Sequence, residues 1–284
     1  MTKLKLIECP RDAMQGIHQR FIPTKDKAQY INALLRVGFD TIDFGSFVSA
    51  RAIPQMRDTA ELLTMLDLRD TNTKLLAIVA NIRGAQEAAK FEQIHYLGYP
   101  FSISENFQMR NTGKTIRESV HILEEIIHIA DKAGKKVVVY MSMGFGNPYG
   151  DPWNLDIVSE WTEKLAGLGT EILSLSDTVG TAKPSHISTL FTGLISQYPT
   201  IEFGAHLHTK PDEWYEKVAA AYASGCRRFD GAIRGYGGCP MAKDSLTGNM
   251  PTEKLISYFT SQQVPIAVHP IRFETAYNEA LKIF

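Results

Sequence analysis

The 284-residue sequence is poor in cysteine and contains no long apolar run. Its three cysteines, Cys9, Cys226 and Cys239, are too few and too scattered to form a disulfide framework. No apolar stretch approaches the ~20 residues that cross a bilayer, which argues against a membrane partner. The N-terminus starts directly with alternating apolar and charged residues and has no signal-peptide core. We therefore expect a soluble protein of a reducing compartment, with the cytoplasm as its location.

The charges show no excess of one sign. Lysine and arginine together number 30, aspartate and glutamate together number 31, and the formal net charge is −1. A protein that holds a nucleic-acid backbone usually carries a basic excess, so this balance argues against nucleic-acid binding. Hydrophobic residues make up 44% and charged residues 21% of the chain, which is typical of a globular protein and not of a disordered one.

Short β-rich runs alternate with longer stretches of helical periodicity along the chain. The clearest helix is predicted at 115–132, where apolar residues recur three and four positions apart, and another is predicted at 212–224. Such alternation is typical of parallel strands joined by crossover helices. The eight predicted strands cover residues 3–9, 41–47, 74–80, 99–104, 135–141, 171–176, 201–207 and 227–233.

Eight alternating strands and helices fit a closed (β/α)₈ TIM barrel, an α/β fold of about 250 residues. The alternative is a doubly wound open sheet, which usually has a glycine-rich turn after its first strand. Residues 9–13 occupy that turn and contain no glycine, which favours the barrel. We predict one catalytic domain over residues 1–284 with a short C-terminal extension. Five glycines are predicted to end helices shortly before a strand, namely Gly38, Gly98, Gly134, Gly169 and Gly225.

The pair His206 and His208 lies at the predicted end of the seventh strand. Residues two apart in a strand point to one side, so both imidazoles could reach one divalent cation. Asp12, after the first strand, could supply a carboxylate, and Asn249 is also placed at this face of the barrel. Two histidines and one carboxylate leave coordination positions open for water or substrate. The alternative is a pair of histidines that only form hydrogen bonds at the rim.

Cys239 and Arg11 are two further candidates near predicted strand ends. Cys239 follows a run of glycines, which allow a mobile loop, and its thiol could donate or accept a proton. Taken alone, a single cysteine in such a place is more often an incidental loop residue. Arg11 beside Asp12 could stabilise a developing enolate or carboxylate oxygen, or form an ordinary surface ion pair. Cys9 and Cys226 lie in or beside apolar segments and are interpreted as packing residues.

Several segments, in chain order, resemble the 3-hydroxy-3-methylglutaryl-CoA lyase family. Residues 6–15 resemble its first-strand signature E-V-G-P-R-D-G-L-Q, and 46–56 resemble S-F-V-S-P-K-W-V-P-Q-M. Residues 174–180 are similar to S-L-G-D-T-I-G, and 206–208 correspond to its metal-binding H-x-H. Residues 235–243 and 248–249 resemble G-L-G-G-C-P-Y-A-K and G-N. The resemblance extends from residue 6 to about residue 258.

The resemblance implies a retro-Claisen cleavage of an acyl-CoA to acetyl-CoA and acetoacetate, with Mg²⁺ or Mn²⁺ as cofactor. The cation would bind the tertiary hydroxyl of the substrate and lower its pKa. Arg11 would stabilise the enolate, and Cys239 would be the loop thiol that protonates it; Asp12, His206 and Asp43 are candidates for the base. The implied metal ligands are Asp12, His206, His208 and Asn249. Catalytic candidates are Arg11, Cys239, Asp43 and Asp177, and substrate-binding candidates are Arg11, Gln15, Ser46 and Glu253. We also expect a homodimer.

Some positions depart from the family pattern. Asp43 stands where the family usually has glutamate, and the D-T-Y-G that follows H-x-H is replaced by residues 209–212. Residues 16–18 and 145–151 also differ, so the reaction type is better supported than the acyl group. The alternatives are a related metal-dependent aldolase, an acetyl-CoA-using Claisen synthase on the same barrel, and a barrel that only binds an acyl-CoA.

Overall fold

The computed structural model describes residues 3–238 and 247–284. Within these ranges nine strands are formed, the last of only two residues. They are Lys5–Glu8 (β1), Thr41–Ser46 (β2), Lys74–Ile78 (β3), Ile94–Ser102 (β4), Lys136–Ser142 (β5), Ile172–Asp177 (β6), Glu202–Thr209 (β7), Arg228–Gly231 (β8) and Gly248–Asn249 (β9).

The same ranges contain eleven α-helices and two short 3₁₀ turns, Pro54–Met56 and Ile233–Gly235. The helices are Pro10–Gln15 (α1), Thr24–Leu35 (α2), Thr59–Thr64 (α3), Ile82–Ala89 (α4), Glu105–Thr112 (α5), Ile116–Lys132 (α6), Leu155–Gly167 (α7), Pro184–Gln197 (α8), Trp214–Ala223 (α9), Thr252–Ser261 (α10) and Pro270–Ile283 (α11). Among these described residues, no helix is long and apolar enough to cross a membrane.

Strands β1 to β8 form a closed parallel barrel. Each pairs with the next in the chain, β8 pairs with β1, and the order of the strands follows the order of the sequence. The predicted (β/α)₈ TIM barrel is therefore confirmed. Because all eight strands run parallel, their carboxyl ends open at one face, where barrel enzymes place their active sites. The assignment of residues 1–284 to a single domain stays a prediction.

The predicted helices follow the observed ones closely. Helix α6 begins after Thr115, whose hydroxyl accepts a hydrogen bond from the Glu118 amide while the Glu118 carboxylate accepts one from the Thr115 amide. This capping box satisfies two donors that would otherwise be free at the helix start. The extra helices arise because two helices, not one, follow both β1 and β4, and because a further helix, α11, follows α10. Helix α11 packs beside α2, where the Gln29 side-chain amide donates to Glu279 Oε2 at 2.9 Å.

Four of the five predicted helix-ending glycines have a positive φ, from +67° at Gly134 to +102° at Gly38. The prediction for Gly98 was wrong, because β4 starts at Ile94 and Gly98 lies inside it. A Cβ atom at position 98 would lie 2.5 Å from Ile78 Cδ1 and 3.0 Å from Leu76 Cδ2, side chains that fill the barrel interior. Gly98 is therefore a packing glycine in a strand.

Candidate active site

Asp12, His206 and His208 lie together at the carboxyl face of the barrel. Helix α1 follows β1 after a single residue, which places Asp12 above that strand, and β7 carries both histidines. One ligand atom from each of the three side chains lies within 4.8 Å of the others. We call these three residues the cation cluster. The sequence-based expectation that they meet is confirmed by this geometry, and their role as metal ligands stays a prediction.

The donor atoms of the cation cluster suit a divalent cation. His208 Nδ1 lies 3.0 Å from the Thr178 carbonyl, which fixes the tautomer with its proton on Nδ1. Its Nε2 is buried and has no hydrogen-bond partner among the described residues. A buried nitrogen lone pair without a donor is costly, and a cation facing it would satisfy it. The residues present therefore fit a divalent metal ion.

Asn249 joins the cluster through a short antiparallel pairing. Strand β9 pairs with the end of β7, with Asn249 opposite His208. The Asn249 side-chain amide donates to Asp12 Oδ2 at 2.7 Å and to the Tyr236 carbonyl at 2.8 Å. Two glycines allow this close approach. A Cβ at Gly237, where φ is +84°, would lie 2.8 Å from the Asp12 carbonyl oxygen, and one at Gly248 would lie 2.3 Å from the Gly235 oxygen.

The surroundings lower the pKa values of both His208 and Asp12, so that neither carries a proton at its metal-binding atom near pH 7. Burial lowers the pKa of His208 to about 4, helped by the neighbouring His206, so His208 is neutral and able to ligate near pH 7. Burial alone would raise the pKa of Asp12, but Arg11 and the two histidines hold it below its ordinary value. Asp12 is therefore ionised. A neutral imidazole and an ionised carboxylate are the forms that bind a metal.

Arg11 lies between two carboxylates. Its Nε and Nη2 donate to Asp43 Oδ2 at 3.0 and 2.5 Å, and its Nη1 donates to Asp12 Oδ1 at 3.0 Å and Gln15 Oε1 at 2.8 Å. Burial raises the pKa of Asp43 to about 6, against the lowering effect of Arg11. The shorter side chain of Asp43 thus still reaches the guanidinium and holds it beside the cation cluster.

Asp177, the last residue of β6, forms a buried ion pair with Lys217, a residue that the sequence analysis missed. Asp177 accepts hydrogen bonds from the Thr181 and Ala182 amides at 2.8 and 3.0 Å and from Lys217 Nζ at 2.9 Å. Lys217 Nζ also donates to the His208 carbonyl at 2.8 Å. The available signal was the position of Lys217 on the apolar face of α9, which a solvent-exposed lysine would avoid.

Asp230 and Cys9 also lie beside the cluster and were missed. Asp230, on β8, has its Oδ2 3.1 Å from Nδ1 of His206. Burial opposes protonation of His206, but the hydrogen bond and charge of Asp230 and the charge of Asp12 together raise its pKa. Ligand atoms of Cys9, His206 and Asp230 lie within 4.8 Å of one another. Cys9, interpreted as a packing residue, is indeed buried.

The remaining candidate residues differ in their hydrogen-bond partners, and among those that the structure describes only Gln15 is bonded to the cation cluster. Gln15 donates to Asp12 Oδ1 at 2.6 Å and so belongs beside it. The Ser46 hydroxyl donates to the Ile78 carbonyl at 3.3 Å, and Glu253 accepts from the Arg234 amide at 3.0 Å, so both are engaged by the protein backbone. Cys239 lies outside the described residues. A groove of about 670 Å³ opens nearby and includes Val179, Lys183 and Lys217 in its wall.

Comparison with known proteins gives one consistent family. The HMGL-like family model matches residues 4–278. Hydroxymethylglutaryl-CoA lyase YngG of Bacillus subtilis (strain 168) is 33% identical over 247 residues, which is 87% of this chain and 81% of that protein.

Two solved structures agree with this family. The crystal structure of the Bacillus subtilis HMG-CoA lyase matches with a TM-score of 0.92 and 30% identity, over 100% of this chain and 94% of that one. An HMG-CoA lyase from Acinetobacter baumannii, in complex with coenzyme A and 3-methylmalate, matches with a TM-score of 0.90 and 28% identity, over 100% and 93% of the two chains. Since the family model spans nearly the whole chain and the similarity to YngG exceeds 30% over most of both proteins, the chain belongs to the HMGL-like family.

Proposed function

We propose that this protein is a divalent-metal-dependent carbon–carbon lyase that cleaves a 3-hydroxy-3-methylglutaryl-CoA-type thioester to acetyl-CoA and acetoacetate. The observation that carries this proposal is the unpaired, buried Nε2 of His208 beside Asp12 and His206, within reach of the ion-paired Arg11. Membership of the HMGL-like family supports it. A coenzyme A complex of a structural neighbour supports an acyl-CoA as the substrate class.

Asp12, His206, His208 and Asn249 would hold the cation, for which we propose Mg²⁺ or Mn²⁺. Mg²⁺ and Mn²⁺ bind carboxylate and amide oxygens and imidazole nitrogens, and these four residues supply all three kinds of ligand. When bound, the cation supplies Lewis-acid polarisation of a substrate oxygen. Asp230 holds His206 through Nδ1, so that Nε2 is the nitrogen directed to the cluster.

Arg11 would stabilise the charge that develops as the carbon–carbon bond breaks. The electron pair of that bond moves onto the thioester carbonyl and forms an enolate, and a rigid cationic donor beside the oxygen lowers the barrier. Asp43 holds the guanidinium by two donors and so fixes its direction. Asp43 thus acts through Arg11, and Asp177 acts through Lys217 and the His208 carbonyl. We keep Asp12, His206 and Asp43 as candidates for the base.

The enolate carbon must then gain a proton. We propose the Cys239 thiol as its donor, on the strength of its position in the glycine-rich segment that follows β8. Gln15 would contact the substrate, since its side chain already bridges Arg11 and Asp12. Ser46 and Glu253 are further substrate-binding candidates. A homodimer and a cytoplasmic location complete the proposal, and sedimentation of the purified protein tests the dimer.

The decisive experiment is an assay of the purified protein with Mg²⁺ or Mn²⁺ over a small panel of 3-hydroxy-3-methyl acyl-CoAs. Release of acetyl-CoA and of the matching keto acid is measured in parallel, and a chelator-treated sample is the control. We expect equal amounts of both products and no turnover after chelation. Turnover of a free 2-oxo acid instead would favour the aldolase alternative, and consumption of acetyl-CoA would favour the Claisen synthase. Binding of acyl-CoA without cleavage would overturn the lyase proposal.

A further inference from the structure

Cys9, His206 and Asp230 form a second, deeper cluster that shares one histidine with the cation cluster. Their ligand atoms lie within 4.8 Å of one another. Cys9 is 1% exposed and Asp230 is 3% exposed. Oδ1 of Asp230 is buried and has no hydrogen-bond partner in the part of the chain that the structure describes. The cluster therefore combines a sulfur, a nitrogen and a carboxylate with one unsatisfied oxygen.

We propose that Cys9, His206 and Asp230 form a second cation site that selects thiophilic divalent ions such as Zn²⁺ and Cd²⁺. Zinc sites are built from cysteine sulfur, histidine nitrogen and carboxylate oxygen, often with three protein ligands and one open position. Mg²⁺ takes oxygen ligands and gains nothing from the sulfur. The distance of 3.1 Å between His206 Nδ1 and Asp230 Oδ2 is close to the ~3.3 Å between two ligands of tetrahedral zinc with bonds of about 2.0 Å.

Binding at this site would displace the thiol proton of Cys9, which leaves to solvent as the sulfur–metal bond forms. Nδ1 of His206, which faces Asp230, must be free of a proton to bind the metal, so the imidazole then carries its proton on Nε2.

The shared histidine makes the two sites exclude each other. A cation at the Asp12 cluster uses His206 Nε2, because Nδ1 faces Asp230. A thiophilic ion at Nδ1 requires the proton on Nε2, and a protonated Nε2 cannot ligate. A thiophilic ion would therefore weaken cation binding at the Asp12 cluster without occupying it. This inference shares His206 with the proposed function but is independent of which reaction the protein catalyses.

The test is a Cd²⁺ titration of the reduced, full-length protein. Its readout is the ultraviolet absorption of the sulfur-to-cadmium charge-transfer band. The variant is Cys9→Ala. The matched control is Cys226→Ala, which removes another buried thiol, and Cys239→Ser removes the remaining one. We expect saturation at one equivalent in the unchanged protein and in both controls, and loss of the absorption in Cys9→Ala. Absorption that persists in Cys9→Ala, disappears in Cys239→Ser, or never develops would overturn the proposal.

A second measurement shows that Cys9→Ala is folded and tests the exclusion. Mn²⁺ is bound first, and its release by Cd²⁺ is followed by electron paramagnetic resonance. If Cys9→Ala still binds Mn²⁺, its cation cluster is intact. If the alanine disturbs that cluster, the variant Cys9→Ser takes the place of Cys9→Ala in the same titration. We expect release from the unchanged protein at about 10–100-fold lower Cd²⁺ than from the variant. Equal concentrations would contradict the proposal, and both readouts remain valid if no lyase activity is found.

Discussion

Arg11 is fixed by three acceptor side chains, one of which is the proposed cation ligand Asp12. We expect Arg11→Met to lower kcat about 10²–10³-fold, the loss caused by removing one donor to a developing oxyanion. Mn²⁺ affinity should change less than kcat, because Arg11 is not itself a ligand and Asp12 loses only one of its donors. Steady-state kinetics and a Mn²⁺ titration measure both quantities. A near-normal kcat would exclude the proposed role of Arg11.

His208 offers a direct test of the cation cluster. We expect His208→Ala to abolish metal-dependent activity and to weaken Mn²⁺ binding at least about tenfold, since a ligand is lost. The matched control is His121→Ala, which removes an exposed histidine on α6. Isothermal titration with Mn²⁺ compares the two variants. Equal Mn²⁺ affinity in both would show that the cation binds elsewhere.

At the scale of single residues, the sequence predicted the groups that lie at strand ends and missed those that act from the interior. His206 and His208 were found because a spacing of two in a strand places both on one side. Asp230 and Cys9 were missed because their roles depend on which strands meet inside the barrel. Cys9 stands beside a proline in an apolar segment, and nothing in that segment indicates that it lies near His206 and Asp230.

At the scale of elements, Lys217 on α9 forms a buried ion pair with Asp177 on β6 and donates a hydrogen bond to the His208 carbonyl on β7. We expect Lys217→Met to lower the Tm and weaken Mn²⁺ affinity, because the charge of Asp177 is left unpaired, which costs about 3–5 kcal/mol, and the His208 carbonyl loses its donor. Calorimetry and Mn²⁺ titration measure the two effects. The control is Lys132→Met, which changes an exposed lysine on α6.

The partner variant separates charge from position. Adding Asp177→Asn to Lys217→Met removes the unpaired charge, so part of the stability should return while Mn²⁺ affinity stays low. Recovery of both would mean that Lys217 only neutralises Asp177. Loss of stability alone, with Mn²⁺ affinity unchanged, would show that the lysine does not position His208.

The sequence predicts an element boundary correctly where neighbouring residues set it. The prediction is wrong where packing against another strand sets the boundary. The start of α6 is encoded by the Thr115–Glu118 capping box. The start of β4 is not encoded locally. A single glycine at position 98, between a helical stretch and a β-rich run, is typical of a helix end, so the strand was predicted to start after it. Its real role depends on Ile78 and Leu76, which come from a neighbouring strand. Such contacts across the barrel interior are invisible in a single sequence.

At the scale of the whole molecule, Glu8 makes stability depend on pH. Burial raises its pKa to about 8, although Thr252 and the Ile233 amide donate to it. The folded state therefore binds more protons than the unfolded state between about pH 4.5 and pH 8. The free energy of unfolding should fall as pH rises through this range, with a maximum slope of about 1.4 kcal/mol per pH unit from this group.

Chemical denaturation at several pH values measures this dependence. Glu8→Gln should flatten the curve over that range, because glutamine cannot lose a proton. Glu92→Gln, a change of an exposed glutamate, should leave the curve unaltered. An unchanged slope in Glu8→Gln would mean that other groups produce the pH dependence.

Gly237 and Gly248 have a consequence for engineering. Both have no room for a side chain, one against Asp12 and the other against Gly235, and Gly248 begins the strand that carries Asn249. A side chain at either position would push strand β9 and the Gly237 backbone apart from their neighbours and so move Asn249 away from Asp12. An engineered variant of this site therefore has to keep glycine at both positions if Asn249 is to stay beside Asp12.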